Sequence, residues 1–340
     1  HPDLSSRRSL KSDLPREGGG GSYKTCNLST SPGKTTMTKP IIFIDGEAGT
    51  TGLGIRQRLD AAGFAELRSI DPDKRKDEQA RADLMAESDL VILCLPDDAA
   101  KQAAALAASL GNKAPRLLDA STAHRVADGW VYGFPEMEAG QARLIREAAR
   151  VSNPGCYPTG AIALLRPLVE EGLLPADAHI TINAVSGYSG GGKQMIEQYE
   201  GGKHPKFDVY GMSMEHKHVP EMHLFSKLAR RPIFIPSVGD YRQGMIVSIP
   251  LFADQLKGKP SGKDVSDVLA RRYAGSETIS VNPDLPARLE PEALNDTNKM
   301  ELRVYANDRL GQMVLMARLD NLGKGASGAA VQNARLMLGV

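Results

Sequence analysis

Cys156 sits in SNPGCYPTG, residues 152–160, between Gly155 and Tyr157 with a proline two positions away on each side. Such a segment is costly to order, so either it is a plain turn around a buried thiol or the backbone is bent to present that thiol. Pro158 suits the first turn of a helix, where its missing N–H costs nothing, and TGAIALLRPLVEEG continues with helical spacing to about Gly172. Cys156 is therefore expected just before a helix N-terminus, where unpaired amides and the helix dipole lower a thiol pKa from about 8.5 and make a nucleophile. The competing reading is a buried structural cysteine.

A thiolate nucleophile needs a proton carrier. EHKHVPE, residues 215–221, places His216 and His218 two apart, so in an extended segment both project to one side. Pro220 suits a helix start, and Glu221 in its first turn is placed to orient an imidazole. Two other readings stand beside this one: a solvated surface cluster, or a metal site built from His216, His218 and His223.

The elements that must position these groups follow from periodicity. PIIFID (40–45) has buried-strand length, GEAGTTG follows, and LGIRQRLDAAG (53–63) has helical spacing with Gly63 as its stop. LRSID (67–71) reads as a strand, 80–89 as a helix, DLVILCLP (89–96) as a buried strand, 97–110 as a helix and RLLDAS (116–121) as a strand. This rhythm predicts an α/β doubly wound, Rossmann-like parallel sheet with its ligand crevice at the carboxyl ends of the strands. Past residue 160 the strands come alternating or paired, at 179–187, 232–238, 244–252, 300–308 and 311–320, and predict an α+β second unit on a mixed or antiparallel sheet. Residues 324–338 have helical character and are expected to return to the first unit.

Gly46, Gly49 and Gly52 fall between the first strand and first helix, where glycines let the backbone approach a pyrophosphate at the helix N-terminus. The spacing departs from the commoner G-x-G-x-x-G, and the same glycines also suit a turn that merely packs strand on helix. Asp71 lies 71 − 52 = 19 residues beyond Gly52, near the spacing of about 20 expected for a ribose-binding acid, which favours NAD. Lys74, Arg75 and Lys76 follow at once and suit a 2′-phosphate or a solvated loop, so the choice between NAD and NADP stays open. A second glycine-rich loop, SGYSGGGKQM (186–195), suits either a nicotinamide and substrate site or a flexible connection.

The formal net charge is +1, which argues against a large electrostatic footprint for nucleic acid or anionic lipid, and no apolar run approaches the roughly 20 residues of a membrane span. Three widely separated cysteines form no disulfide framework and point to a reducing, cytoplasmic setting. Cys94 in its apolar strand reads as core. Residues 1–36, which contain Cys26 and GGGGS at 18–22, are foreign in composition to the rest and read as a flexible linker or expression leader.

Seven segments together resemble the N-acetyl-gamma-glutamyl-phosphate reductase family of arginine biosynthesis, in its shorter bacterial type. They are DGEAGTTGL (45–53), DASTAHR (119–125), YGFPE (132–136), SNPGCYPTGA (152–161), SGYSGGGK (186–193), HKHVPE (216–221) and DNLGKGASGAAVQN (320–333). The resemblance implies that Cys156 attacks an acyl phosphate, that a thioester forms, and that NADPH reduces it to a semialdehyde. It further implies His218 as acid/base, with His216 second and Glu221 as orienter. NADP(H) would be held by Gly46, Gly49, Thr50, Thr51, Gly52, Asp71, Ser186, Gly187 and Asn321. The acyl-phosphate substrate would be held by Ser121, Arg125 and Asn153, no metal is implied, and the chain is expected to form a homodimer or tetramer. Residues 37–153 with 321–340 are expected to bind the dinucleotide, and 154–320 to carry catalysis and dimerisation. EAGTT in the first loop and Asp71 depart from the longer type of the family, and a sister activity on a carrier-linked aminoadipyl phosphate of lysine synthesis uses similar motifs.

Overall fold

The computed structural model describes residues 39–202 and 204–340. The leader expected at 1–36, with Cys26, lies outside the described residues. The first sheet is built from β1 (Ile41–Asp45), α1 (Thr50–Ala62), β2 (Glu66–Arg68), α2 (Glu78–Ala86), β3 (Leu90–Leu93), α3 (Asp97–Ser109), β4 (Arg116–Asp119), β5 (Val131–Tyr132), α4 (Gln141–Glu147) and β6 (Arg150–Ser152). Its six strands are all parallel, in the order β2-β1-β3-β4-β6-β5. Helices cover both faces, as a sheet of continuous apolar strands requires. Ile55 and Leu59 of α1 and Ile145 of α4 pack on one face, and Met85 of α2 with Ala103 and Ala107 of α3 pack on the other.

The second sheet follows α5 (Cys156–Glu170) and contains β7 (Thr181–Gly187), α6 (Gly192–Glu200), β8 (Phe207–Val209), α7 (Val219–Phe225), β9 (Ile233–Gly239), β10 (Met245–Phe252), α8 (Gly262–Arg272), β11 (Ile279–Val281), β12 (Met300–Asn307) and β13 (Gln312–Leu319). Its seven strands are mixed, in the order β11-β12-β13-β10-β7-β9-β8, with β7–β9 and β11–β12 parallel and the other pairs antiparallel. The fold is therefore a parallel doubly wound sheet joined to an α+β unit with a mixed sheet. A π-turn (Gly323–Ser327) leads into α9 (Gly328–Leu338), whose Ala330, Ala334 and Met337 pack with Ile42, Ile44 and Leu118 of the first sheet.

Two predicted elements are shorter than their apolar runs. The strand expected at 67–71 ends at Arg68, where its pairing with β1 stops opposite Phe43, and Pro72 then opens a 3-10 turn. The strand expected at 89–96 ends at Leu93, ahead of Pro96, which caps α3.

Twelve of the fifteen residues of α5 are buried, from Tyr157 through Leu168, so the helix that begins with Cys156 is held on all sides. It lies on the second sheet at Gly160, where an added Cβ would come within 2.9 Å of Val247 Cγ2 and 3.3 Å of Ala317 Cβ. Overpacking here must push α5 off β10 and β13. We expect Gly160→Val to lower the unfolding free energy by about 1–3 kcal/mol, measured by denaturant titration; undiminished stability would contradict the close approach.

Candidate active site

Strand order reverses between β1 and β3, and in an open parallel sheet the crevice at such a switch point is where ligands bind. Gly46 follows β1 with φ +91°, and a Cβ there would lie 2.3 Å from the Cys94 carbonyl oxygen after β3, so only glycine lets the two strand ends stay adjacent. α1 then starts with no side-chain cap. The Gly49 amide donates to Gly46 O (3.1 Å) and the Leu53 amide to Gly49 O (2.9 Å), which leaves the amides of Thr50, Thr51 and Gly52 aimed out of the turn with no acceptor among the described residues. Two cavities meet at Leu95 beside this helix end. One, of about 390 Å³, is lined by Thr50, Thr51, Cys156, His216 and His218, and the other, of about 490 Å³, by Gly46, Glu47, Ser69 and Arg75. A larger crevice of about 920 Å³ near Glu136 and Arg272 is lined by neither a cysteine nor a histidine.

Cys156 is the first residue of α5, not the residue before it, and Gly155 is the N-cap. Gly155 has room for no side chain: a Cβ would come within 2.6 Å of both Arg125 Nη1 and Glu221 Oε1 and 2.9 Å of His218 Cδ2. The expected lowering of the thiol pKa is reversed. Burial pushes Cys156 up to about 11, outweighing the Arg125 guanidinium and the Tyr157 amide that favour the thiolate, with Glu221 adding to the rise. The helix end is favourable to the anion, but the desolvation of a cleft between two packed sheets is larger.

Glu221 does not orient a histidine. Its buried carboxylate accepts from Arg125 Nη1 (2.8 Å), the Tyr132 hydroxyl (2.8 Å) and the Gly155 amide (3.0 Å). It therefore fixes the residue ahead of Cys156 and the cation beside it. Arg125 also donates from Nε to the Asn153 carbonyl at 3.0 Å.

His216 and His218 lie on a turn into α7, not on an extended segment, and their ring centroids are 4.8 Å apart. The turn still brings both to the cavity of Cys156. The His218 amide donates to His216 Nδ1 (3.2 Å), so that nitrogen is unprotonated. His218 is 7% exposed, and its Nδ1 has no hydrogen-bond partner among the described residues. Burial lowers both pKa values, to about 4 for His216, with Lys217 adding to the effect, and well below the ordinary histidine value for His218, with Arg125, His216 and Lys217 adding. His223 lies outside this cavity, and no group of three or more His, Cys, Asp or Glu among the described residues is arranged to hold a metal ion.

The remaining expected site residues divide by what their polar atoms already do. Asn153 is buried, its Nδ2 donating to Ala326 O (3.0 Å) and its Oδ1 accepting from Asn333 (3.1 Å), so its amide braces the loop. Ser121 donates to Asp119 Oδ2 (2.8 Å) and accepts from the Ala123 amide (3.1 Å), which commits its hydroxyl internally although it lines the cavity. Asn321 lines the cavity and joins two loops, donating to Ser189 Oγ (2.9 Å) and accepting from the Gly244 amide (2.7 Å). Ser186 and Gly187 are not cavity residues. They are the buried end of β7, where Gly187 abuts the Arg242–Gln243 backbone, and the following Ser189 and Gly190 line the cavity instead.

Asp71 does not close β2, which ends at Arg68, and it is not among the residues lining the second cavity. Its carboxylate accepts from the Asp73 amide (3.0 Å) and caps the 3-10 turn, while Ser69 and Arg75 face the cavity in its place. Tyr132, Tyr210, Lys217 and Ser69 were not singled out by residue type or spacing, although Tyr132 stood within YGFPE and Lys217 within HKHVPE.

The family model described as "Semialdehyde dehydrogenase, dimerisation domain" matches residues 156–321. A curated N-acetyl-gamma-glutamyl-phosphate reductase of Chelativorans sp. (strain BNC1) is 52% identical over 305 residues, covering 87% of this chain and 97% of that protein. One of Brucella ovis is 52% identical over 311 residues, covering 88% and 99%. Among solved structures, aspartate semialdehyde dehydrogenase with NADP from Candida albicans shares the fold at a TM-score of 0.64 and 15% identity, over 88% of this chain and 98% of that one. With a shared sequence this extensive, the chain belongs to the N-acetyl-gamma-glutamyl-phosphate reductase family.

Proposed function

We propose that the chain reduces N-acetyl-gamma-glutamyl phosphate to N-acetylglutamate semialdehyde with NADPH, through a thioester on Cys156, in arginine biosynthesis. The observation that carries this reading is one cavity in which Cys156, a neutral His218 with an unpartnered ring nitrogen, and Arg125 lie beside the uncapped start of α1. The names of the relatives support the substrate.

His218 is the base that the protonated thiol requires. It takes the Cys156 proton as Sγ attacks the acyl carbon, the C–O bond to phosphate breaks, and His218 returns the proton to the departing phosphate. Arg125 and the first amides of α5 stabilise charge on the sulfur and on the acyl oxygen. The dinucleotide fits the free amides at Thr50–Gly52, and when bound it supplies a hydride to the acyl carbon. Collapse of the resulting tetrahedral adduct on Cys156 releases the aldehyde and the thiolate, which regains a proton through His218.

The cofactor preference is read from the second cavity. Arg75 lines it and forms no ion pair among the described residues, whereas Asp71 does not line it and accepts from the Asp73 amide, and this supports NADP over NAD. A related fold with bound NADP supports the same choice. Ile246, Val314 and Met316 lie half-buried, with exposed Phe252, on the face of the second sheet turned away from α5, which supports a homodimer through that sheet. No described helix is long and apolar enough to cross a membrane, and the free thiols Cys94 and Cys156 fit a reducing cytoplasm.

With N-acetylglutamate semialdehyde, reduction of NADP followed by absorbance should require phosphate, and Cys156→Ala should abolish it while NADPH binding by fluorescence holds. Turnover by Cys156→Ala would exclude the thioester. Arg75→Ala should raise KM for NADP at least about tenfold, the loss expected from one charge-assisted hydrogen bond of about 1.5–3 kcal/mol, with NAD unaffected; an equal effect on both would remove Arg75 from the 2′-phosphate.

The histidines also predict a stability profile. Unfolded, each titrates near 6.5, but folded His216 does so only at about 4 and His218 well below 6.5. As pH falls from about 6.5 towards 4 the unfolded chain gains protons that the folded chain refuses, so stability is lost over that window, and above it the effect vanishes. Tm should fall across the window, and His216→Gln combined with His218→Gln should shallow the fall; an unchanged slope would show that burial does not hold the imidazoles neutral.

A further inference from the structure

The proposed substrate bears two anionic ends, and the cations of the cavity differ in ways that sort them. Arg125 lies deep, its side chain 10% exposed, with Glu221 matching its charge at 2.8 Å. Its position against Gly155, next to the nucleophile, assigns it to the acyl phosphate, whose phosphate leaves from the carbon that Sγ attacks. The α-carboxylate is separated from that carbon by three others and must reach a different part of the cavity.

Lys217 is the second cation of the lining and stands at the solvent-exposed end, between His216 and His218. The carboxylates nearest to it in the chain are engaged elsewhere, Glu215 with Arg231 (3.0 Å) and Glu221 with Arg125. Lys217 forms no ion pair among the described residues. The glycine-rich wall, Gly190–Gly192 and Met195, carries no side-chain charge, and Lys193 beyond it pairs with Glu197 at 3.6 Å. Lys217 lines the same cavity as both imidazoles, which makes it accessible to a molecule bound against them.

We propose that Lys217 pairs with the α-carboxylate of the substrate and so selects N-acylated amino-acid acyl phosphates over chains that lack this group. The inference rests on the reductase reading for the identity of the carboxylate. It divides the two anionic groups of one ligand between a buried, charge-matched arginine at the reacting carbon and an unmatched lysine at the mouth.

The test is steady-state kinetics on the full chain in the phosphate-dependent oxidation direction. Lys217→Met should lower kcat/KM for N-acetylglutamate semialdehyde by about tenfold or more, while KM for phosphate and for NADP holds. With 4-acetamidobutanal, which is the same aldehyde without the carboxylate, the loss should disappear, and Lys217→Arg should restore most of the rate on the semialdehyde. A rise in the phosphate KM, or an equal loss on both aldehydes, overturns the assignment.

A second readout needs no turnover. N-acetylglutamate titrated calorimetrically should bind the wild type and bind Lys217→Met at least about tenfold more weakly. Equal binding, or none to the wild type, overturns the proposal. Failure of the wild type to oxidise the semialdehyde with phosphate strikes the reductase reading alone.

Discussion

One buried carboxylate holds the site together. Glu221 is 1% exposed and receives an arginine, a tyrosine hydroxyl and a backbone amide from three separate parts of the chain. Arg125 and Tyr132 come from the carboxyl side of the first sheet, Gly155 caps the helix that begins with Cys156, and Glu221 follows His218 by three residues on α7. A buried charge is tolerated only when its lone pairs are satisfied, and stripping one partner from such a pair costs about 3–5 kcal/mol. Because every partner here is also fixed to something else, the satisfaction of this one anion sets the relation of thiol to imidazole. Tyr132 adds an apolar clamp by stacking on Phe225 at the far end of α7, with centroids 3.8 Å apart.

The same dryness governs the protonation states. Burial disfavours whichever form is charged, so it raises the thiol and lowers both histidines, and the resting pair is neutral on both sides. The helix dipole and Arg125 do not make a standing thiolate. They offset part of the cost that burial imposes on the anion. A neutral imidazole with an open nitrogen is the state that can receive the proton.

Much of the architecture was legible in local pattern. Continuous apolar runs such as LVIL at 90–93, separated by helical spacing and glycine turns, leave little but a parallel sheet covered on both faces. β5 and β6, two and three residues long, are too short to show any period, and they were not anticipated. Within the site, the motifs around Cys156, His218 and Arg125 marked residues that one cavity brings together. The partners of Glu221 were not legible, since they lie 66 to 96 residues away and local spacing has no information at that range. Asp71 shows the same limit on a smaller scale: the count from Gly52 did not reveal that β2 ends at Arg68 or that the carboxylate accepts from the Asp73 amide at the start of a 3-10 turn.

The raised pKa of Cys156 also bears on how readily the thiol is oxidised. Peroxide and electrophiles attack the thiolate, and the raised pKa of Cys156 keeps it largely in the thiol form at pH 7. A nucleophile kept permanently ionised would spend its idle time drifting towards sulfenic and sulfinic acid. Held largely as a thiol by burial, the sulfur of Cys156 is shielded from that drift.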